Sequence, residues 1–145
     1  MPEGAGPFLG IDYGERRIGI AVLGESGFAP QGVTTLRNGE GGPDWEGFAR
    51  LLNEWQPRAL VLGLPLHMDG SEGLMVSRVR NFAQSLQRRF PLPQYWVDER
   101  LSSHAGESVL REREFSHKKR GRLLDQAAAC EILLTFQNAG GGHEC

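Results

Sequence analysis

The stretch LGIDYGERRIGIA, from Leu9 to Ala21, decides the fold because it joins two short β-favouring runs through a tight turn. The first run ends at Asp12 and the second begins at Arg17, so together they predict an antiparallel hairpin. A third β-favouring run covers Phe28–Arg37. We therefore expect the N-terminal part of the chain to form an antiparallel meander of three strands.

Further along the chain, helical and strand patterns alternate. Asp44 is a natural helix N-cap, and apolar residues recur after it at helical spacing until Pro57. The run Ala59–Leu64 is almost wholly apolar, which is typical of a strand covered on both faces. A long amphipathic helix over Met75–Phe90 and a strand over Gln94–Glu99 complete the alternation.

The last third of the chain is poor in glycine and proline, which favours helices. Ser102 or Ser103 can cap a helix that runs to about Glu114. A loop is predicted over Ser116–Gly121, and a final helix over Arg122–Gln137.

The predicted fold class is α/β, with the elements in the order βββαβαβαα. We expect a mixed five-stranded sheet flanked by helices, forming a single domain over residues 1–145. Its ordered core runs from about 8 to 137, whereas the N-terminus and the glycine-rich tail Gly140–Cys145 are expected to be flexible.

Charge and composition narrow the functional classes. The 16 basic and 18 acidic residues give a net charge of −2, but residues 78–122 hold 11 basic and 5 acidic side chains, so a basic face is expected.

Two cysteines are too few for a disulfide framework or a four-ligand zinc site. The longest apolar run has about eight residues, whereas a membrane span needs roughly 20. With no signal-peptide pattern either, we expect a cytoplasmic protein without a membrane span.

Three carboxylates occupy positions whose patterns predict burial. Asp12 alternates with Phe8 and Gly10 on one face of a strand. Glu99 ends a strand, and Asp125 is expected in the first turn of the last helix, where short alanines allow close approach to the sheet. Singly, each has a structural explanation: a turn-capping aspartate, a solvated strand end, and an acid favoured by a helix N-terminus.

Together, the three carboxylates predict a metal site. Converging like charges repel strongly unless a cation lies among them. Oxygen ligands suit Mg²⁺ or Mn²⁺, and two such ions roughly 3.5–4 Å apart can promote cleavage of a phosphodiester bond.

Four motifs resemble the YqgF (RuvX) family, whose members are described as Holliday junction resolvases or pre-16S rRNA nucleases with an RNase H-like fold. They are the hairpin stretch, VLGLP at Val61–Pro65, VDERLSS at Val97–Ser103 and LLDQAAA at Leu123–Ala129. The resemblance covers about residues 8–137. It implies a divalent-metal-dependent endonuclease that leaves a 5′-phosphate.

The resemblance also implies site residues. Asp12, Glu99 and Asp125 match the catalytic metal ligands, and Asp98 or a water is the candidate for a fourth. Other positions match motif residues that hold the backbone phosphate or order a loop: Arg17 and Gly14 in the first motif, and Arg100 and Ser102 in the third.

A basic run directly precedes Asp125. It consists of His117, Lys118, Lys119, Arg120 and Arg122, and we expect it to form a flexible loop, hinged at Gly121, that leads a polyanion to the metals. The alternative is a solvated surface run, the usual role of such clusters.

The predicted substrate is structured nucleic acid. Two processes fit: 5′-end processing of pre-16S rRNA in ribosome biogenesis, or cleavage of branched DNA in recombination, which would require a homodimer. A non-catalytic nucleic-acid-binding regulator with a nuclease fold is an alternative. An actin-like ATPase fragment is another, because GIDYGERRIGIA also resembles the phosphate-binding hairpin of that superfamily, although those ATPases need well over twice this length.

Overall fold

The computed structural model describes residues 6–24, 29–66, 69, 73–99, 117–138 and 143–144, and for residues 117–123 and 143–144 it describes the backbone only. These residues form six strands and three helices. In chain order they are β1 (Phe8–Tyr13), β2 (Arg17–Leu23), β3 (Gln31–Arg37), α1 (Trp45–Trp55), β4 (Ala59–Leu64), α2 (Leu74–Arg89), β5 (Gln94–Asp98), α3 (His117–Asn138) and β6 (His143–Glu144).

All the strands belong to one mixed sheet in the order β3-β2-β1-β4-β5-β6. The meander β1-β2-β3 is antiparallel, whereas β4 pairs parallel to both β1 and β5. The five predicted strands are therefore confirmed, and so is their mixed pairing. Parallel pairing buries β4 at the centre of the sheet, as its apolar sequence predicts.

The two faces of the sheet carry different helices. On one face, Ile11 of β1 packs in a cluster with Phe48 of α1 and Phe82 of α2. On the other, Val61 of β4 packs with Ile132 and other residues of α3. Since strand side chains alternate between faces, the even-numbered positions of β1 lie beneath α3.

Helix α1 begins as predicted, because the Asp44 carboxylate accepts a hydrogen bond of 2.9 Å from the Gly47 backbone amide. It ends at Trp55, where Gln56 adopts a left-handed conformation with φ of 48°.

The predicted loop over Ser116–Gly121 is wrong for residues 117–121, which belong to α3. Lysine and arginine are good helix formers, and one interior glycine costs only about 1 kcal/mol, so Gly121 does not interrupt the helix. Asp125 therefore lies eight residues into α3 rather than in its first turn. The helix dipole acts mainly within the first turn, so it does not account for an aspartate at this position.

Residues 143 and 144 lie in the tail Gly140–Cys145, for which the sequence predicts flexibility. They form β6, which pairs antiparallel with β5 through Tyr95 opposite Glu144 and Trp96 opposite His143. Pairing with the edge of β5 supplies hydrogen bonds to this short segment, an effect that depends on the sheet rather than on the tail's own composition. The predicted helix from Ser102 or Ser103 to Glu114 lies outside the described residues.

A last observation concerns membranes. Over the residues that the structure describes, no helix is both long and apolar enough to cross a bilayer.

Candidate active site

The side chains of Asp12 and Glu99 meet beneath α3 and share a hydrogen bond. Asp12 is near the end of β1, and Glu99 directly follows β5. Strand β4 separates these two strands in the sheet. The two carboxyl groups therefore meet by reaching across β4.

Gly63 of β4 makes this meeting possible. A Cβ atom at position 63 would lie only 2.8 Å from Cγ of Glu99 and 2.7 Å from Cδ1 of Ile132. In other words, the Glu99 side chain and α3 fill the space that any other residue would need. A glycine inside a strand often marks such a close approach.

The ionisation of this pair is strongly perturbed. Burial, the charge of Glu99 and a hydrogen bond to Glu99 raise the pKa of Asp12 from 3.8 to about 8, with a further contribution from the charge of Asp125. Burial also raises the pKa of Glu99. Burial and the neighbouring charges therefore favour the protonated form of Asp12, whose carboxyl can donate the hydrogen bond to Glu99.

Asp125 approaches the same place from α3. Its carboxylate accepts a hydrogen bond of 2.6 Å from Nε of Arg17, and the side chains are 22% and 44% exposed, respectively. Burial raises the pKa of Asp125, although the Arg17 guanidinium opposes that rise. Arg17 thus partly neutralises the third carboxylate while its own side chain remains accessible to solvent.

Helix α3 can lie this close because of glycines in the sheet. Gly19 is the register partner of Asp12, and a Cβ there would lie 2.0 Å from the backbone oxygen of Asp125. A Cβ at Gly10 would lie 2.9 Å from the backbone oxygen of Ala129. The predicted close approach at the alanines is confirmed, but its larger cause is the absence of side chains on the strands.

The turn between β1 and β2 is tied to neighbouring elements. Asn38 donates from its side chain to the backbone oxygen of Gly14 at 2.7 Å, and from its backbone amide to the oxygen of Arg16 at 2.9 Å. On the opposite side, Arg78 of α2 forms an ion pair with Glu15. These contacts hold the segment that connects Asp12 to Arg17.

The structure thus brings together four of the residues that the sequence singled out: Asp12, Glu99, Asp125 and Arg17. Asp98 is the last residue of β5 and by alternation points away from α3; its charge contributes to the raised pKa of Glu99. Arg100 and Ser102 lie outside the described residues. The backbone of Lys118, Lys119, Arg120 and Arg122 is helical, in the first turns of α3.

The donor chemistry fits a hard divalent cation. Three carboxylates supply only oxygen ligands, and two of them share a proton where a cation could compensate both charges. In this arrangement no three acidic, histidine or cysteine side chains among the described residues lie close enough together to hold one ion. The third carboxylate, Asp125, is engaged in the ion pair with Arg17.

Sequence reasoning did not assign a role to Gly19, Gly63 or Asn38. The two glycines carried a signal, since each interrupts an otherwise apolar strand. Asn38 carried none, because its partner, the Gly14 carbonyl, is 24 residues away in the chain.

Comparisons with known proteins place the chain among nucleases by similarity. A family model for RuvX, described as Holliday junction resolvase, matches residues 6–138. A protein of Neisseria gonorrhoeae named "Putative pre-16S rRNA nuclease" is 45% identical over 145 residues, which cover 100% of this chain and 94% of that protein. A protein of the same name from Burkholderia ambifaria is 39% identical over 136 residues, covering 94% and 91%.

Solved structures show the same fold at low sequence identity. A Thermus thermophilus RuvC structure in complex with a Holliday junction substrate aligns with a TM-score of 0.55 and 16% identity, covering 96% of this chain and 99% of that one. A second Thermus thermophilus RuvC structure aligns with a TM-score of 0.51 and 15% identity, with the same coverage. The RNase H-like fold expected from the motifs is therefore confirmed.

Proposed function

The chain belongs to the RuvX family, and from this premise we propose that it is a divalent-metal-dependent endonuclease acting on structured nucleic acid. The observation that carries the proposal is the partly buried, hydrogen-bonded Asp12–Glu99 pair, with Asp125 close enough for its charge to act on Asp12. Burying like charges together is unfavourable for a protein unless a cation or a reaction uses them. A non-catalytic regulator would have no need of such a group.

Asp12, Glu99 and Asp125 are the residues that would hold Mg²⁺ or Mn²⁺. The chemistry supplied there by the cation is activation of water and stabilisation of charge on the leaving oxygen. The residues themselves would contribute a partly buried, oxygen-rich setting, in which the proton between Asp12 and Glu99 would pass to solvent when a cation binds. Of the two candidates for a fourth ligand, Asp98 or a water, we propose the water, because Asp98 points to the face of the sheet opposite to α3.

Arg17 is proposed to bind a phosphate of the substrate. Its guanidinium already holds one anion, Asp125, and is nearly half exposed. A phosphate offers the same bidentate geometry as a carboxylate, so Arg17 can exchange one for the other and release Asp125. Arg100 and Ser102 are proposed to assist from the neighbouring motif.

The basic residues at the start of α3 are proposed to attract the substrate. Lys118, Lys119, Arg120 and Arg122 lie in the first turns of the helix, where positive charge opposes the helix dipole. A polyanion bound there would relieve this unfavourable placement. The site would then combine a cationic entry with a carboxylate centre.

We propose pre-16S rRNA as the substrate, in 5′-end processing during ribosome biogenesis, because relatives matched over nearly their whole length carry that name. The family description supports branched DNA as the second candidate, and cutting both strands of a junction would require a homodimer. For either substrate, the chain is proposed to act as one domain in the cytoplasm.

The test is a cleavage assay on two labelled substrates, a precursor 16S rRNA fragment and a four-way DNA junction, with Mg²⁺, Mn²⁺ or EDTA. Matched controls are the mature-ended RNA and a linear duplex of the same sequence. We expect cleavage that requires a divalent cation and leaves a 5′-phosphate. Binding of either substrate without cleavage under any metal would favour the regulator, and ATP turnover without cleavage would favour the ATPase.

Gly63→Ala tests whether space on β4 positions Glu99. Because the new Cβ would lie within 3 Å of both Glu99 and Ile132, we expect cleavage to fall at least tenfold and unfolding free energy to fall by about 1–3 kcal/mol. Gly41→Ala is the matched control, since its Cβ would meet nothing within 4 Å. Denaturant unfolding and the cleavage assay measure both effects. Equal behaviour of the two variants would show that Glu99 does not depend on Gly63.

A further inference from the structure

A second polar feature lies beside the carboxylates. It is a cleft of about 570 Å³, here named the arginine cleft, bounded by Arg16, Arg17 and Arg37 and by the polar side chains of Thr35, Asn38 and Gln126. No carboxylate lines it among the described residues. None of the four sequence motifs includes Arg37 or any other residue of β3.

The strand register places the arginine cleft on the same face of the sheet as the carboxylates. Arg17 and Arg37 are register partners on β2 and β3, and two residues along, Gly19 pairs with Thr35. Gly19 also pairs with Asp12 on its other side. Thr35 is therefore two strand spacings, about 10 Å, from Asp12 across the sheet.

Positive charge in the cleft is only partly compensated. Arg17 is paired with Asp125, but Arg16 and Arg37 are exposed and form no ion pair with any described residue. Like charges directly opposite each other on antiparallel strands, as at Arg17 and Arg37, are unfavourable. The carboxylate of nearby Asp44 is engaged in capping α1. The cleft is thus an arrangement that an anion would stabilise.

The neighbouring contacts fix the cleft's shape. The Asn38 amide group and backbone hold the turn that carries Arg16, and Gln126 of α3 donates to the Thr35 hydroxyl at 3.3 Å. Two accessible guanidinium groups surrounded by hydroxyl and amide groups suit a phosphate with several acceptor oxygens.

We propose that the arginine cleft binds a phosphodiester of the substrate strand next to the one held at the carboxylates, with Arg37 and Arg16 as positioning residues. This inference rests on the proposed function, since it assumes a nucleic-acid substrate. The proposed contact extends the binding surface across β2 to the edge strand β3. In the strand order, β3 lies on the other side of β1 from β5. The ligand chemistry is the same for RNA and DNA.

The test measures binding separately from cleavage. Fluorescence anisotropy in EDTA gives the Kd of Arg37→Gln and of Arg16→Gln/Arg37→Gln for the labelled rRNA fragment and the DNA junction at several salt concentrations. We expect about a fivefold to tenfold weaker Kd for the single variant, and a salt slope lowered by roughly 0.7–0.9 for each lost phosphate contact. Arg50→Gln, which removes a charge from the exposed side of α1, should leave both unchanged. Which substrate shows the effect distinguishes RNA from DNA.

A substrate series locates the contact. One phosphate at a time along the strand is replaced by a neutral methylphosphonate. At one position near the cut, this replacement should weaken binding by the wild-type protein but leave the affinity of Arg37→Gln unchanged. Identical affinities and salt slopes for Arg37→Gln and Arg50→Gln would overturn the inference. Binding with these effects but without cleavage would overturn the nuclease proposal alone, whereas no binding of either substrate by the wild type would overturn both.

Discussion

Asp12→Asn is expected to lower the cleavage rate at least about a thousandfold while leaving the protein folded. Asp12 is the carboxylate that interacts with both of the others, because it is hydrogen bonded to Glu99 and lies close enough to Asp125 to feel its charge. An amide preserves the size of the side chain and can still donate to Glu99, but it carries no charge for a cation. A thousandfold loss corresponds to about 4 kcal/mol of transition-state stabilisation, a magnitude that loss of a metal ligand can reach.

Asp44→Asn is the matched control for this experiment. It makes the same chemical change at an aspartate whose carboxylate caps α1, where asparagine caps about equally well. Single-turnover cleavage with Mn²⁺ and circular dichroism should show that only Asp12→Asn is inactive and that both variants are folded. If Asp12→Asn cleaved at the wild-type rate, the proposed role of the carboxylates would be wrong.

Local patterns were sufficient for most of the architecture. The bounds of β4 and the N-cap of α1 follow directly from the apolar run after Arg58 and from Asp44, because each depends on residues adjacent in the chain. The family expected from the four motifs is confirmed by the match over residues 6–138. Alternation along β1 also predicts that Asp12 shares a face with Phe8 and Gly10, and the structure shows that this face lies beneath α3.

Features that depend on distant partners were not predictable. Helix α3 starts earlier than predicted, because the helix-forming residues around Gly121 outweigh this single glycine. Strand β6 depends on the free edge of β5, about 50 residues earlier in the chain. The position of Arg37 opposite Arg17 depends on the register between β2 and β3, which the sequence pattern does not give.

In the candidate site too, some features follow from local sequence and others depend on residues distant in the chain. Its acids were recognisable because a carboxylate in an apolar pattern is locally anomalous. The glycines that let the acids meet were visible as interruptions, but which side chain fills the space at Gly63 is a property of the assembled sheet. The role assigned to Asp12, Glu99 and Asp125 stays a prediction that the Asp12→Asn experiment tests.

The metal-free protein is expected to become less stable as pH rises from about 4 to about 8. The pKa of Asp12 is raised from 3.8 to about 8 in the folded protein, so over this interval the folded state holds a proton that the unfolded chain releases. Stability falls with pH wherever the folded state binds more protons, and the fall ends above the folded-state pKa. The raised pKa values of Glu99 and Asp125 act in the same direction.

Asp12→Asn should remove most of this dependence. At pH 8 we expect the variant to be about 1–3 kcal/mol more stable than the wild type, because a buried charge is no longer left without compensation. For a chain of this size, that is a rise in Tm of several degrees. Near pH 4 the two should be similar, since Asp12 is then protonated in the folded wild type.

Thermal unfolding in EDTA between pH 4 and 9 measures the effect, with Asp44→Asn expected to follow the wild type. Adding Mn²⁺ should stabilise the wild type at pH 8 and stabilise Asp12→Asn much less, because a cation that binds only the folded state shifts unfolding by mass action. This readout does not depend on cleavage. Parallel pH curves for the wild type and Asp12→Asn would mean that Asp12 is not held protonated by its neighbours, and the electrostatic reason for a cation at this site would then be lost.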